Sequence, residues 1–390
     1  MKHPFLPFLF LLVCTAQISC TSAQSRQKTA DDAALRNEIG QMLVVGFRGT
    51  KPDNNNHIVR DIQQHNIGGV ILFEYDAPSR SRPRNITSPQ QLKALCSWLK
   101  KLSGNTLLIG IDQEGGYVSR LKAKYGFPEF ASAQKTASYG NDSVRHYARL
   151  TATTLHEMGI NLNFAPCVDV NTNPSCPVIG KIERSFSSDE NQVARFAAIW
   201  LDEQRRQGVV SCLKHFPGHG SSDSDTHLGI ADVSDSWSDK ELIPYRSLID
   251  RCNVEMIMTT HVFNAKLDSL WPATLSYATL TTLLRDSLDF KGIIITDDLA
   301  MGAMTKHYSY DSLIGMAINA GADMLCLSNN GDTYNPEVVP QTIELIYSMV
   351  QNGLIPRERI AESARRIKKL KQDIARRSTT ETNSRQKKEK

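Results

Sequence analysis

The stretch Val209-Val210-Ser211-Cys212-Leu213-Lys214-His215-Phe216-Pro217-Gly218-His219-Gly220 joins an apolar run to a polar loop. The run lacks the polar alternation of a half-exposed strand, which is typical of a strand buried on both faces of a parallel sheet. Proline and glycine interrupt the residues that follow, so these residues cannot continue a helix or strand. The stretch predicts a buried strand, Val209–Leu213, followed by a loop rich in proton-transfer groups.

Eight apolar runs of this kind recur between residues 40 and 330, and helix-like segments lie between many of them. Several helical segments end in Gly or Asn directly before the next run, which is a helix-stop signal in such connections. The alternation favours a single (β/α)8 barrel of the TIM type, with a doubly wound open sheet as the alternative. The predicted strands are Met42–Phe47, Gly69–Phe73, Thr106–Ile111, Asn161–Ala165, Val209–Leu213, Met256–Thr260, Ile293–Thr296 and Met324–Leu327.

Polar side chains follow most of these runs at the point where each predicted strand ends. Asp112 follows the third run, the fourth reaches Asp169, Lys214-His215 follow the fifth and Asp297-Asp298 follow the seventh. In a barrel, the carboxyl ends of all strands lie on the face where active sites form. We therefore expect these side chains to converge on one pocket.

Two of the polar groups have the chemistry of glycoside cleavage. Asp297 lies directly after a buried strand, where a carboxylate can act as a nucleophile toward an anomeric carbon. An aspartate at such a position also often caps a helix, a role that suits Asp298. Asp225-Thr226-His227 supplies an imidazole together with a carboxylate that can fix its tautomer. The alternative for this segment is an ordinary polar surface loop.

The same loop also contains possible metal ligands, because His215, His219, Asp223 and His227 are all residues that bind metals. No His-x-His pair follows the first strand, and Lys214 would place a cation beside the metal. Six cysteines follow residue 23 without a Cys-x-x-Cys pair, which favours buried thiols over a metal cluster. A disulfide between Cys167 and Cys176 is an alternative to two buried thiols.

Composition and the two ends of the chain define its organisation. The 390 residues are 41% hydrophobic and 22% charged, and the formal net charge of +4 gives no support for nucleic-acid binding. A cationic start, an apolar run and small residues up to Ala23 predict an export signal, 1–23. Cleavage after Ala23 would leave a soluble protein, and lipidation at Cys20 an anchored one. We predict a linker at 24–36, a catalytic barrel at 37–375 and a basic disordered tail at 376–390.

Four motifs follow one another in order: Asp112-Gln113-Glu114-Gly115-Gly116 with Arg120, Asn163–Asn171, Lys214–Gly220 with Asp225-Thr226-His227, and Thr296-Asp297-Asp298-Leu299. In these motifs the chain resembles glycoside hydrolase family 3, specifically its β-N-acetylglucosaminidase branch. The resemblance covers about 37–375. The chain departs from many such relatives at Ser221-Ser222, where they have Asp-Thr, but the Asp-x-His spacing is kept.

The resemblance implies a role for each matching residue. Asp297 corresponds to the nucleophile that forms a covalent glycosyl-enzyme, His227 to the acid/base and Asp225 to its dyad partner. The reaction would retain the anomeric configuration and need no cofactor or metal. The residues that would hold the N-acetylglucosamine ring are Asp112, Arg120, Arg184, Lys214 and His215.

The sequence thus predicts an exported exo-β-N-acetylglucosaminidase of the periplasm or cell envelope. Its substrate would be a carbohydrate that contains N-acetylglucosamine, from peptidoglycan fragments, chitin oligomers or other glycans. A membrane would be contacted only through a lipid anchor. Two other functions stay open: a non-catalytic glycan-binding protein of the envelope, and a metal-dependent hydrolase on a barrel.

Overall fold

A computed structural model describes residues 28–386, with side chains up to residue 377. The export signal, Cys20 and residues 24–27 of the linker lie outside the described residues. The central sheet has eight strands: β1 Leu43–Gly46, β2 Gly69–Leu72, β3 Leu108–Ile111, β4 Leu162–Asn163, β5 Val210–Phe216, β6 Met256–Thr259, β7 Ile293–Ile295 and β8 Leu325–Leu327. Their order in the sheet is β8-β1-β2-β3-β4-β5-β6-β7, and all neighbours are parallel.

The two edges of this sheet meet between β7 and β8. Ile295 and Met324 form a parallel bridge, and the N–H of Met324 donates to the carbonyl of Ile294 at 3.0 Å. The N–H of Thr296 donates in turn to the carbonyl of Met324 at 3.1 Å. The sheet therefore closes into a barrel. The predicted (β/α)8 fold is confirmed, and the open doubly wound sheet is wrong.

Helices surround the barrel, and their ends follow local capping rules. The Asp189 carboxylate accepts from the N–H groups of Asn191 and Gln192 at the start of the helix Glu190–Arg206, and the helix Asn141–Met158 is capped at its end by Gly159 with a φ of 82°. None of the helices in the described part of the chain has the length and apolarity needed to span a membrane. The helices are α1 28–41, α2 His57–Gln63, α3 Pro89–Leu102, α4 Ala133–Ser138, α5 Asn141–Met158, α6 Glu190–Arg206, α7 Ile243–Arg251, α8 Gly302–Thr305, α9 Tyr310–Ala320, α10 Val338–Gln351 and α11 Arg357–Gln386, with a π-helical segment at Ala278–Ser287.

Every predicted strand differs from the observed one by one to three residues at one end or both, and two differences from the sequence-based expectation change the interpretation. Strand β5 continues past Leu213 to Phe216, and all seven of its residues are buried, including Lys214 and His215. These two polar side chains can be buried because carboxylates on neighbouring strand ends bond them, a tertiary effect that hydrophobicity does not reveal. Helix α11 extends to Gln386, so that residues 376–386 of the predicted disordered tail are helical.

A buried carboxylate joins the barrel closure to the helices at the amino end of β8. Asp323 is fully buried and accepts hydrogen bonds from Arg285 at 2.8 Å, Arg359 at 2.8 Å, Arg366 at 2.9 Å and the N–H of Ile294 at 3.1 Å. Burial opposes its ionisation, but the three guanidinium groups outweigh it and hold the pKa of Asp323 below its usual value. The ionised Asp323 therefore links β7, β8 and α11 through these hydrogen bonds.

We expect Asp323→Ala to lower the free energy of unfolding by roughly 3–5 kcal/mol, because it removes the buried carboxylate that three half-buried cations share and leaves Arg359 and Arg366 with Glu362 alone among the described carboxylates. Urea unfolding at pH 7 measures this change. Asp202→Ala is the control, since Asp202 pairs with arginines on the surface and its loss should cost less than about 1 kcal/mol. Because the folded-state pKa of Asp323 is depressed, its contribution is present above its unfolded pKa of ~3.9 and is lost as the pH falls through the folded pKa. If Asp323→Ala and the wild type still differed in free energy of unfolding at a pH below the folded pKa of Asp323, this account would be wrong.

Candidate active site

A cavity of about 640 Å³ opens at the carboxyl ends of the strands, within the size range of small-molecule sites. Asp297, which follows β7, and His227, on the loop after β5, both line it. Asp112 and Arg120, which come from the segment after β3, line the same space. Of the strand-end side chains expected to converge on one pocket, Asp112, Asp297 and Asp298 line this cavity, and Asp169, Lys214 and His215 are not among its lining residues.

Asp297 is half-buried at the bottom of this cavity. Its Oδ1 accepts the N–H of Asp298 at 2.8 Å. Burial acts to raise the pKa of Asp297, but the facing imidazoles of His261, His215 and His227 outweigh it, so its pKa lies below the usual value. Asp297 is consequently an ionised carboxylate at neutral pH, as a nucleophile must be.

The neighbouring Asp298 has a different environment. Its carboxylate accepts from the N–H of Ser328 at 3.0 Å and of Ala300 at 3.2 Å, and from the Ser328 hydroxyl. Burial raises the pKa of Asp298, and these hydrogen bonds from Ser328 oppose the shift. The Nε2–H of His261 donates to the carbonyl of Asp298 at 3.0 Å. Asp298 thus orients the segment that carries Asp297, but it does not cap a helix, because the next helix begins at Gly302 with Met301 as its N-cap.

His227 and Asp225 form a hydrogen-bonded pair on the loop after β5. Oδ1 of Asp225 accepts from Nδ1 of His227 at 2.7 Å and from the N–H of His227 at 2.8 Å. Because a carboxylate only accepts, the proton of this bond lies on Nδ1, and Nε2 is the nitrogen free to exchange a proton with a ligand. The side chain of His227 is 65% exposed and lines the cavity.

An ion-pair network lies behind the cavity wall. Lys214 Nζ contacts Asp112 Oδ1 at 2.8 Å and Glu114 Oε1 at 2.6 Å, and Arg184 binds both oxygens of Glu114 at 2.8 and 2.9 Å. Arg120 contacts the second oxygen of Asp112 at 3.3 Å. Burial opposes ionisation of both carboxyls, but Lys214 and the arginines lower the pKa of Asp112, and that of Glu114 to about 2. The network holds Asp112 charged and fixed at the cavity.

Another buried carboxylate, Asp169, binds the start of the loop that carries His227. Asp169 accepts from Nδ1 of His215 at 2.7 Å and from the N–H of His219 at 2.8 Å. Arg184, which is only a donor, lies 3.2 Å from Nε2 of His215. Burial would raise the pKa of Asp169, but His215 outweighs it and lowers the pKa. His215 thus links Asp169 to the Arg184 network.

The substrate-binding residues predicted from the resemblance occupy two layers. Asp112 and Arg120 line the cavity, whereas Arg184, Lys214 and His215 are not among the described residues that line it. These three hold Glu114, Asp112 and each other, so the contact with a sugar predicted for them stays a prediction.

Sequence reasoning missed Glu114 and left Asp169 out of the site. Glu114 lies two residues after Asp112 in a short hairpin, Gln113–Gly115 with Val118–Ser119. Its spacing from Asp112 after a buried strand was the signal that could have revealed it. Asp169 was visible as a strand-end carboxylate, but its three bonds to the His215–His219 turn depend on tertiary contacts.

The four side chains considered as metal ligands have separate partners in the structure. His215 bonds Asp169, His219 lies 3.2 Å from the Thr226 hydroxyl, Asp223 accepts from the Ser224 hydroxyl at 2.7 Å and His227 bonds Asp225. In the described part of the chain, the group with ligand atoms close enough for a metal is Cys167, Asp169 and His215. Burial raises the pKa of Cys167, and its thiol donates to Asp169.

The six cysteines of the described residues are free thiols, and all but Cys252 are buried. The predicted buried thiols are confirmed for these five, and Cys167 and Cys176 form no disulfide.

Comparison with known proteins assigns the family. The pattern of the glycosyl hydrolase family 3 N terminal domain matches residues 34–370. The chain belongs to glycoside hydrolase family 3. The predicted family is therefore confirmed, and the match covers the whole barrel.

Individual relatives agree with this family 3 assignment. The chain is 36% identical over 276 residues to the beta-hexosaminidase of Tolumonas auensis, which covers 70% of this chain and 78% of that protein. It is 31% identical over 331 residues to beta-hexosaminidase A of Pseudoalteromonas piscicida, covering 80% of this chain but only 54% of that one. This chain therefore spans about half the length of the second relative.

Solved structures of the family resemble the barrel. A glycoside hydrolase family 3 beta-N-acetylglucosaminidase from Paenibacillus sp. str. FPU-7 superposes with a TM-score of 0.78 at 32% identity, covering 87% of this chain and 62% of that one. A beta-N-acetylhexosaminidase from Beutenbergia cavernae has a TM-score of 0.73 at 25% identity and covers 86% of this chain and 98% of its own.

Proposed function

We propose that this chain is a retaining exo-β-N-acetylglucosaminidase that removes terminal β-linked N-acetylglucosamine through a covalent glycosyl-aspartate. The observation that carries the proposal is that Asp297 and His227, from different loops, line one cavity. A carboxylate held ionised and an imidazole with a free Nε2 are the nucleophile and the proton donor that double displacement requires. Relatives named beta-hexosaminidase and beta-N-acetylglucosaminidase support the substrate class.

The first step transfers the sugar to the enzyme. A carboxylate oxygen of Asp297 attacks C1 while the bond from C1 to the leaving oxygen breaks. Nε2 of His227 gives its proton to that oxygen, and the residue changes from imidazolium to neutral imidazole. Asp225 stabilises the imidazolium beforehand through its 2.7 Å bond to Nδ1.

The second step returns the sugar to water. His227 removes a proton from a water molecule, whose oxygen attacks C1 and displaces the Asp297 carboxylate. Two inversions at C1 give net retention, so the first product is the β-anomer. The charged Asp112 and the neighbouring Arg120 supply an acceptor and donors to sugar hydroxyls. Lys214 holds Asp112 directly, and Arg184 holds Glu114, the second carboxylate that Lys214 contacts.

The proposal also includes the cellular location of the enzyme and its natural substrates. An export signal at 1–23 would deliver the enzyme to the periplasm or cell envelope, either released after Ala23 or anchored at Cys20. Peptidoglycan fragments, chitin oligomers and other glycans with terminal N-acetylglucosamine would be its substrates there.

The test is turnover of 4-nitrophenyl β-N-acetylglucosaminide, followed by ¹H NMR during the first minutes, with the α-anomer and the β-glucoside as controls. We expect hydrolysis of the β-N-acetylglucosaminide alone, with the β-anomer of N-acetylglucosamine appearing before mutarotation. Early α-anomer would indicate direct displacement by water instead of a glycosyl-enzyme. Binding without turnover of any substrate would favour the non-catalytic glycan-binding protein. A parallel reaction in phosphate buffer distinguishes hydrolysis from transfer to phosphate.

A further inference from the structure

We propose that residues 302–306, here called the docking segment, hold the loop of residues 219–228, the dyad loop, closed over Asp297. Gly302 and Lys306 are its positioning residues. The inference rests on the proposed function, because it takes His227 as the acid/base.

Two backbone hydrogen bonds join the dyad loop to the docking segment. The N–H of Ala303 donates to the carbonyl of Thr226 at 3.0 Å, and the N–H of Gly302 donates to the carbonyl of His227 at 3.2 Å. The loop is therefore held at His227 itself and at the residue before it.

A third contact involves the next residue of the dyad loop: Nζ of Lys306 donates to the carbonyl of Leu228 at 2.8 Å. The backbones of the docking segment and the dyad loop also lie close together at Gly302. A Cβ added to Gly302 would lie 2.5 Å from the His227 carbonyl oxygen, a distance that real Cβ atoms do not tolerate. Only glycine at position 302 lets the backbone carrying His227 come this near.

The docking segment follows Asp297 in the chain, and the residues between them are hydrogen-bonded to the barrel. The N–H of Leu299 donates to the carbonyl of Cys326 at 3.2 Å, and the N–H of Met301 donates to the carbonyl of Asp298 at 3.1 Å. The Asp298 carboxylate is itself bonded to Ser328 at the end of β8. A loop docked on this segment is thereby fixed relative to Asp297.

The dyad alone does not supply this constraint. The side-chain partner of His227 is Asp225, two residues away on the same loop, so their bond moves with the loop. Thr226 between them is buried, and its hydroxyl lies 3.2 Å from Nε2 of His219. Asn173 and Glu241 hold the loop at Gly220 and Ser222, so the bonds to the docking segment are what fix residues 226–228 relative to Asp297.

The test uses three variants and a series of aryl β-N-acetylglucosaminides, from the activated 2,4-dinitrophenyl to the poor phenyl leaving group. Gly302→Ala pushes on the His227 carbonyl, and Lys306→Met removes the third contact from an exposed side chain. Lys291→Met is the matched control, because Lys291 is an exposed lysine before β7 whose ion-pair partner is the nearby Asp289. The value of kcat/KM reports the first step, where an acid is needed only when the leaving group is poor.

We expect Gly302→Ala to lower kcat/KM for the phenyl substrate about 10- to 100-fold and for the dinitrophenyl substrate less than about threefold, a part of the effect of general acid catalysis. Lys306→Met should act in the same direction by about two- to tenfold, the scale of one hydrogen bond. Lys291→Met should match the wild type throughout.

Equal losses across the series, or no loss in either variant, would overturn the proposal. If Gly302→Ala does not fold, as thermal unfolding would show, Lys306→Met decides. Failure of the proposed function looks different: His227→Ala would then show no greater dependence on the leaving group than the wild type, whatever the docking variants do.

Discussion

We expect Asp297→Ala to lower turnover of 4-nitrophenyl β-N-acetylglucosaminide by at least about 10⁴-fold, the scale found when catalytic nucleophiles are removed. Alanine leaves no oxygen to bond C1, so the glycosyl-enzyme cannot form. Because Asp297 is only half-buried and its carboxylate accepts one short-range hydrogen bond, from Asp298, the fold should persist. Steady-state kinetics and a thermal unfolding curve measure the two quantities.

The product of an added nucleophile identifies which carboxylate acts. Azide can enter the space left by the Asp297 carboxylate and displace the leaving group once, which gives the α-glycosyl azide. Asp298→Asn is the matched control, since Asp298 is committed to Ser328 and Ala300 and should lose activity through misplacement of Asp297 without azide rescue. Azide rescue of Asp298→Asn, or substantial residual turnover by Asp297→Ala, would assign the nucleophile to another residue.

The barrel was predictable because its strands are buried on both faces. Such strands consist of nearly continuous apolar residues, and Ile293–Ile295 or Met256–Thr259 can be found without knowledge of their neighbours. The position of Asp297 follows from the same argument, because a residue directly after a barrel strand lies at the carboxyl-end face. Strand detection therefore located the site as well as the fold.

What could not be predicted depends on partners distant in the chain. Lys214 and His215 are polar, and only the carboxylates of Asp112 and Asp169 make their burial in β5 favourable. Glu114 gains its role from Arg184, 70 residues away. Gly302 likewise has no distinguishing local pattern, because the contact that requires a glycine comes from the backbone of another loop.

We expect His227→Ala to lower kcat/KM by a factor that depends on the leaving group of the substrate. For phenyl β-N-acetylglucosaminide we expect kcat/KM to fall about 10²- to 10⁴-fold, because no group protonates the departing oxygen. For the 2,4-dinitrophenyl substrate kcat/KM should stay near the wild-type value, since this leaving group departs without a proton. Its kcat should fall, because the same residue activates water in the second step. The side chain is 65% exposed, so truncation should leave the free energy of unfolding within about 0.5 kcal/mol.

Azide also distinguishes the acid/base from the nucleophile, because the glycosyl azide expected here has the opposite anomeric configuration to the one expected for Asp297→Ala. In His227→Ala the glycosyl-enzyme still forms, and azide attacks it without needing a base, so kcat for the dinitrophenyl substrate should recover and the β-glycosyl azide should accumulate. Asp225→Asn is the graded comparison: it keeps the imidazole but removes the carboxylate that stabilises imidazolium, so its loss should be smaller and follow the same leaving-group order. If His227→Ala lost the same factor on both substrates, or yielded the α-azide, His227 would be a binding group and the proton donor would have to be another residue of the cavity.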